Sequence, residues 1–300
     1  MQQPTLSIVI ASELEEGYLR RCLESLLPSA GRHAAEVLVS HASEGGIDAG
    51  LKDEFPQVRF IPVAGAPSIP DLRYAGAAAA AGELIATTEA FAVFQEGWIE
   101  AVLEGHRQGF DVVGGPIQPH PSLGRVGWAA HLCEFGALNP PLHGGPGQDV
   151  SGFNACYRRQ VFEACRESVE KRHWETILHQ EAHSKGFRFM LLQGLLLFNG
   201  RNYGLTEFLR QRFRYGRGYG RVRAGRVSRT AHLALLLLSP GLPLLLLWRY
   251  CSWAFQKRLP KGRMLVALPL LALFAAAWSA GEWMGYAQAL GQAARGKGAR

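Results

Sequence analysis

The sequence predicts an α/β fold, a mixed but mostly parallel sheet with helices on both faces, followed by membrane helices near the C-terminus. Three observations carry that expectation. Short apolar runs of strand length alternate with segments of helical period over the first two thirds of the chain, which is the pattern of β-α units. Glycines fall at the ends of these segments, as Gly82 does after the alanine run 77–81. Two apolar runs then occupy residues 233–248 and 264–283; the second reaches the roughly 20 residues that a spanning helix needs, and the first is marginal.

Taken in order, residues 6–11 form an apolar run of strand length, and 15–27 follow with Leu19, Cys22, Leu23 and Leu26 at helical spacing. Residues 36–40 and 58–63 read as the second and third strands. A helix over 71–81 stops at Gly82, which takes the left-handed exit at little cost. Residues 84–88 read as a buried strand, with Glu89 just past its carboxyl end, and 95–98 turn into the next helix. A strand over 112–116 ends in Gly114 and Gly115, where backbone can approach a ligand closely. Residues 137–152 are a glycine- and proline-rich loop, read either as an active-site lid or as a long connection. No Lys-Ser or Lys-Thr follows these glycines, so this is no P-loop. A helix is expected to open at 154–159 and run through Val161, Phe162 and Cys165, and another to cover 173–185 up to Gly186. Residues 187–192 and 195–198 are expected to pair as strands.

The carboxyl edge of an open α/β sheet is where ligands bind. The expected pocket is therefore lined by Ala11, Ser12 and Glu13 after the first strand, Ser40 and His41 after the second, and Thr88 and Glu89 at the fourth. Arg73 is a further candidate, because a guanidinium can clamp a diphosphate with two hydrogen bonds; its alternative is a solvated helix residue. Glu175, His179 and His183 recur at four-residue steps and line one helix face. Their order is not that of a zinc-protease helix, so a polar surface face is expected there rather than a metal.

The 300 residues, 48% hydrophobic, suffice for one full core with residues left for a membrane segment. Much of the net charge of +7 falls within residues 210–229, a run of arginines mixed with aromatics. Such a run can face anionic lipid, a diphosphate or single-stranded nucleic acid. Because apolar segments follow at once, the lipid reading leads, diphosphate binding is compatible with it, and no nucleic-acid partner is expected. The first residues carry no basic stretch ahead of an apolar run, so no cleaved signal is expected. Five scattered cysteines, an odd number, argue against a disulfide framework or zinc site and fit a reducing compartment. Two plain crossings would put Lys257, Arg258, Lys261 and Arg263 outside, against the positive-inside bias; a re-entrant hairpin bent at 239–243 would keep them cytosolic, although two tilted spans are the simpler count, so the anchor is expected to be multi-pass or re-entrant.

Several stretches together resemble the family 2 glycosyltransferases, nucleotide-sugar-dependent enzymes with a GT-A fold. They are L-S-I-V-I-A-S-E-L-E-E-G-Y-L-R-R-C-L-E-S-L, R-Y-A-G-A-A-A-A-A-G-E-L-I, V-V-G-G-P, G-F-N-A-C-Y-R-R and W-E-T-I-L-H-Q-E, and the resemblance covers residues 6–223. It implies a nucleotide-sugar donor, a lipid-linked or glycan acceptor, and inversion at the anomeric carbon. It also implies a divalent ion, Mg or Mn, at the D-x-D position, where this chain has Glu89, Ala90 and Phe91. At the base-reading aspartates it has Ser40 and His41, and at a frequent histidine it has Asn199. Glu175 stands where similar enzymes hold the general base; the alternative is a glutamate placed at a helix start by the macrodipole. The expected organisation is a catalytic domain over 1–204 on the cytoplasmic face of the cell membrane, a basic juxtamembrane segment over 205–230, two hydrophobic segments over 231–290 in contact with membrane lipids, and a basic tail over 291–300. The rival expectation is a catalytically impaired relative that serves as a membrane scaffold, argued from Ser40, His41, Ala90 and Phe91.

Overall fold

The computed structural model describes residues 4–13, 16–147 and 149–295. Leu14, Glu15 of the expected first helix, and Lys297 and Arg300 of the basic tail lie outside them, as does Gln148 in the glycine-rich stretch. The chain forms two compact units: one runs to His120 and resumes over Leu138–Arg201, the other comprises Pro121–Ala137 and the chain from Asn202.

In the first unit, β1 (Leu6–Ser12), α1 (Glu16–Arg32), β2 (Glu36–Ala42), α2 (Ala49–Glu54), β3 (Arg59–Val63), α3 (Ile69–Ala79) and β4 (Leu84–Glu89) follow as β-α units. All seven residues of β1 are buried, so both faces of the sheet are covered there, as the unbroken apolar run implies. Helix α3 starts on a capping box between Ser68 and Asp71, with Pro70 in its first turn. It packs on β1 so closely that a Cβ on Gly76 would stand 2.2 Å from Val9 Cγ1. The chain continues through β5 (Ala92–Phe94), α4 (Trp98–Arg107), β6 (Val112–Gly114) and β7 (Ile117–Pro119).

Among the described residues, an eight-stranded sheet has the order β3-β2-β1-β4-β9-β6-β10-β8, with β8 at Gly145–Pro146, β9 at Ala155–Arg158 and β10 at Phe189–Leu191. The β3-β2-β1-β4 half is parallel, while β9 runs antiparallel to both β4 and β6. A three-stranded sheet orders as β5-β11-β7, with β11 at Leu197–Asn199. Helices α6 (Arg159–Ala164), α7 (Arg166–Glu170) and α8 (Glu175–Ser184) lie between β9 and β10 in sequence.

Two expectations are corrected. Residues 155–158 are a strand, and the helix begins only at Arg159, because A-C-Y-R pairs on both sides in the interior of the sheet; a short apolar run does not distinguish a buried strand from a buried helix turn. Residues 187–192 and 195–198 do not pair with each other. Leu192 N–H bonds to Gly114 and Leu195 N–H closes a turn onto Leu192, which sends β11 away to Pro116 and the small sheet.

The second unit joins α5 (Arg125–Phe135), α9 (Leu205–Ala224), α10 (Arg229–Leu238), α11 (Leu242–Gln256) and α12 (Lys261–Arg295). Helix α5, inside the stretch expected to be catalytic domain, belongs here because Trp128, Leu132 and Cys133 share one core with Leu246, Tyr250, Leu271 and Phe274. The basic run becomes α9, whose buried stripe is Phe208, Arg212, Gly216, Gly220 and Ala224 at four-residue steps. Arg212 is not a surface cation: its guanidinium lies 4.2 Å from the Trp278 ring and donates to Tyr250 Oη at 3.3 Å. No chain reversal occurs at 239–243. Leu238, Ser239, Gly241 and Leu242 all keep right-handed helical angles, so the helical path runs on through Pro240. Helical stretches Arg229–Gln256 and Lys261–Gly291 are each long and apolar enough to cross a membrane.

Candidate active site at the carboxyl edge of the sheet

The parallel strands bring the expected residues into rows. Ser40, Ala11 and Glu89 stand side by side across β2, β1 and β4, and His41 stands opposite Ser12. Glu89 is the last residue of β4 rather than the first beyond it. Arg73 reaches this row from the buried face of α3. Its Nη2 donates to Glu89 Oε1 at 2.7 Å and its Nη1 to Glu175 Oε2 at 2.9 Å, so one guanidinium joins the two carboxylates. Burial disfavours charge on Arg73, but Glu175 and then Glu89 outweigh it and hold the cation. The solvated alternative for Arg73 is excluded by its burial.

Glu175 opens α8, whose preceding residue supplies no side-chain cap, and a carboxylate in that first turn is favoured by the helix macrodipole. Gly152 lets the loop backbone close over the triad: a Cβ there would lie 2.6 Å from Arg73 Nη1 and 3.0 Å from the Glu175 carboxyl carbon. Its carbonyl accepts from Thr87 Oγ1 at 2.8 Å. Tyr74 donates to the His173 carbonyl at 2.9 Å and lines the same wall. The small pocket among Arg73, Tyr74, Gly152, Tyr157 and Glu175 holds about 20 Å³, room for one water.

The face of α8 is a correction. His179 is fully buried, not a surface residue; its Nδ1–H donates to Asp149 at 2.5 Å and its Nε2 accepts from Tyr157 O–H at 2.9 Å. Burial raises the Asp149 pKa, but the bond from His179 outweighs it and leaves the carboxyl below its usual range. His183 is exposed and stacks on Phe189. Sequence reasoning missed Asp149 and Tyr157, and also Asn154, which donates to Pro116 and Leu195 carbonyls and accepts from Trp98 Nε1. Such partners are distant in sequence and carry no local pattern.

The remaining expected residues divide. Ser12, Ser40, His41 and Thr88 are buried, and Glu13 is exposed. Ser40 Oγ would stand 2.7 Å from a Cβ on Gly76, so it faces α3. Ser40 Oγ, His41 Nε2 and Thr88 Oγ1 have no hydrogen-bond partner among the described residues.

The residues do not fit a divalent ion. Such an ion takes several oxygen ligands, whereas Glu89 is engaged by Arg73 and the second acidic position is Phe91, stacked on Phe153 with centroids 4.8 Å apart. Among the described residues, no group of three His, Cys, Asp or Glu side chains converges to hold a metal.

The family model for glycosyl transferase family 2 matches residues 7–166, more than half of the chain, and covers β1 to β4 with the Ser40, Ala11 and Glu89 row. No curated protein matches the sequence. Among solved structures, the mannosyltransferase PcManGT from Pyrobaculum calidifontis, in complex with GDP-Man and Mn2+, is similar with a TM-score of 0.52 at 15% identity, covering 93% of this chain and 88% of that chain. At that identity the likeness is one of fold, and it agrees with the mostly parallel sheet. The chain therefore belongs to glycosyl transferase family 2 and has a GT-A fold.

Proposed function

We propose that the protein transfers a hexose or related sugar from a nucleotide-sugar donor to a lipid-linked or glycan acceptor at the cytoplasmic face of a membrane, with inversion. The observation that carries this reading is the Arg73 bridge, which holds Glu89 and Glu175 together at the carboxyl edge of the family-matched sheet. The donor lies along Ala11, Ser12, Glu13, Ser40, His41 and Thr88, and Arg73 and Glu89 border its diphosphate. Glu175 takes the proton of the acceptor hydroxyl. Its Oε2 is oriented by Arg73, and Oε1 has no partner among the described residues. The hydroxyl oxygen then bonds to the anomeric carbon as the bond to the diphosphate oxygen breaks, and a single displacement of this kind inverts the carbon. The exposed apolar side chains Leu237, Leu244, Trp248 and Leu265 support a membrane-held acceptor, with the exposed arginines of α9 against lipid headgroups.

The test is release of nucleoside diphosphate from a panel of nucleotide sugars with lipid extract as acceptor. Turnover in wild type and its loss in Glu175→Gln are expected. A non-catalytic scaffold is the second reading, favoured by the Phe91–Phe153 stack and by the small volume of the pocket at Arg73. It is distinguished by the lack of any nucleoside diphosphate binding.

A further inference from the structure

We infer that the guanidinium groups of Arg201 and Arg21, in place of a divalent cation, meet the diphosphate of the donor, so that donor binding needs no metal. This rests on the proposed glycosyl transfer and deepens it. At the position of the second metal carboxylate, in the turn after β4, Phe91 is buried and stacked nearly parallel on Phe153, at 18°. An oxygen ligand there has been exchanged for an aromatic face.

The chain returns to this turn from the other side. Strand β11 pairs antiparallel with β5 with Asn199 opposite Ala92, so Gly200 and Arg201 continue back past Phe91 and Ala90. Gly200 N–H bonds to the Phe91 carbonyl at 2.9 Å, and Arg201 N–H bonds to the Asn199 side chain at 3.0 Å. These bonds set the Arg201 guanidinium 5.6 Å from the centre of the Phe91 ring. Arg21 arrives from α1, which follows the carboxyl end of β1. Its Nη1 stands 3.8 Å from the place of a Cβ on Gly200. Its charge also reaches His120, whose pKa is lowered by burial and then by Arg21.

The chemistry favours the exchange. A guanidinium offers a planar fork of donors that matches phosphate oxygens, and a fixed cation beside a leaving diphosphate stabilises charge as it develops. Arg73 has the complementary part. By pairing with Glu89 it neutralises the one carboxylate at the turn that would repel the diphosphate.

The experiment is isothermal titration of full-length protein in detergent with UDP, GDP, dTDP and ADP, first in EDTA and then with Mn2+. At least one diphosphate is expected to bind in EDTA, with Mn2+ changing its affinity by no more than about twofold. Arg201→Ala and Arg21→Ala are expected to weaken that binding by about tenfold or more, while Arg201→Lys and Arg21→Lys, which keep a charge but lose the fork, fall between. Both side chains are partly exposed, and unchanged thermal melts of the variants verify folding. Binding that vanishes in EDTA and returns with Mn2+ overturns the inference, as does wild-type affinity in the alanine variants. If no diphosphate binds in either condition, the proposed glycosyl transfer fails and the inference fails with it.

Discussion

Arg73 is the residue on which the site depends. Its guanidinium is buried between Glu89 and Glu175, so removing it leaves two carboxylates, themselves mostly buried, without their common cation. Arg73→Ala is expected to destabilise the first unit by about 3 kcal/mol, and Arg73→Lys to recover only part, because one ammonium cannot present the same two-pronged geometry. Chemical denaturation of the three proteins measures this. Glu175→Gln behaves differently: the amide oxygen still accepts from Arg73, but the group no longer takes a proton. Turnover is expected to fall about a hundredfold while nucleoside diphosphate affinity stays unchanged. Loss of both together would mark the helix start as structural. His106 gives a pH signature away from the site. Its Nδ1–H donates to the Phe110 carbonyl, its Nε2 is buried without a hydrogen-bond partner among the described residues, and burial lowers its pKa from 6.5 to about 4. The unfolded chain therefore binds the proton more readily, and stability is lost as pH falls from 6.5 toward 4, by about 3 kcal/mol in all. His106→Gln is expected to flatten that slope; an unchanged slope would assign it to other groups.

At the scale of elements, the contact of α9 with α12 is made by backbone. A Cβ on Gly216 would stand 2.2 Å from the Trp278 carbonyl oxygen, and one on Gly220 2.4 Å from that of Glu282. The reverse holds as well: a Cβ on Gly281 would stand 2.1 Å from the Phe213 carbonyl oxygen and one on Gly285 2.4 Å from that of Arg217. Two glycine pairs at four-residue spacing thus let an arginine-rich helix lie directly on an apolar one. Beside them Glu282 accepts from Trp278 Nε1 at 2.8 Å and Tyr286 Oη at 2.6 Å, which satisfies a buried carboxylate. Gly281→Val is expected to destabilise the second unit by 2 kcal/mol or more, about the cost of overpacking. Gly218→Ala on the same α9 meets nothing within 4 Å and should stabilise by about 0.5 kcal/mol through helix propensity. Thermal melts of both variants in detergent separate the two positions; equal behaviour would refute the close contact.

For the whole molecule, the exposed apolar surface is the governing property. Leu237, Leu238, Leu244, Phe255 and Leu265 are largely exposed on helices that satisfy the length and hydropathy of a membrane span. The full-length protein is expected to sediment with membranes and to resist an alkaline carbonate wash. Recovery in the soluble fraction without detergent would remove membrane anchoring. A truncation near Asn202 is a poor test. It would strip the partners of Trp128 and Leu132 from α5, which precedes the cut in sequence but packs with the helices after it.

The alternation of strand and helix over residues 6–89, the acidic turn and the two apolar C-terminal runs were legible in the sequence because each is set by local period and by composition. So was the shared carboxyl edge of Ala11, Ser40 and Glu89, since parallel strands end on the same side, while their side-by-side register came from the strand order. The assignment of 155–158 to a central antiparallel strand was not legible, because a four-residue buried run lacks a period that distinguishes strand from helix. Nor could sequence alone assign α5 to the second unit, bury His179 against Asp149 and Tyr157, or carry Arg201 back past Phe91. Those outcomes depend on pairings between residues far apart in the chain, and such pairings are chosen by packing, hydrogen-bond satisfaction and charge neutralisation in three dimensions. The Arg73 bridge combines both kinds: its three residues were visible one by one, and only the tertiary structure set a single guanidinium between the two carboxylates.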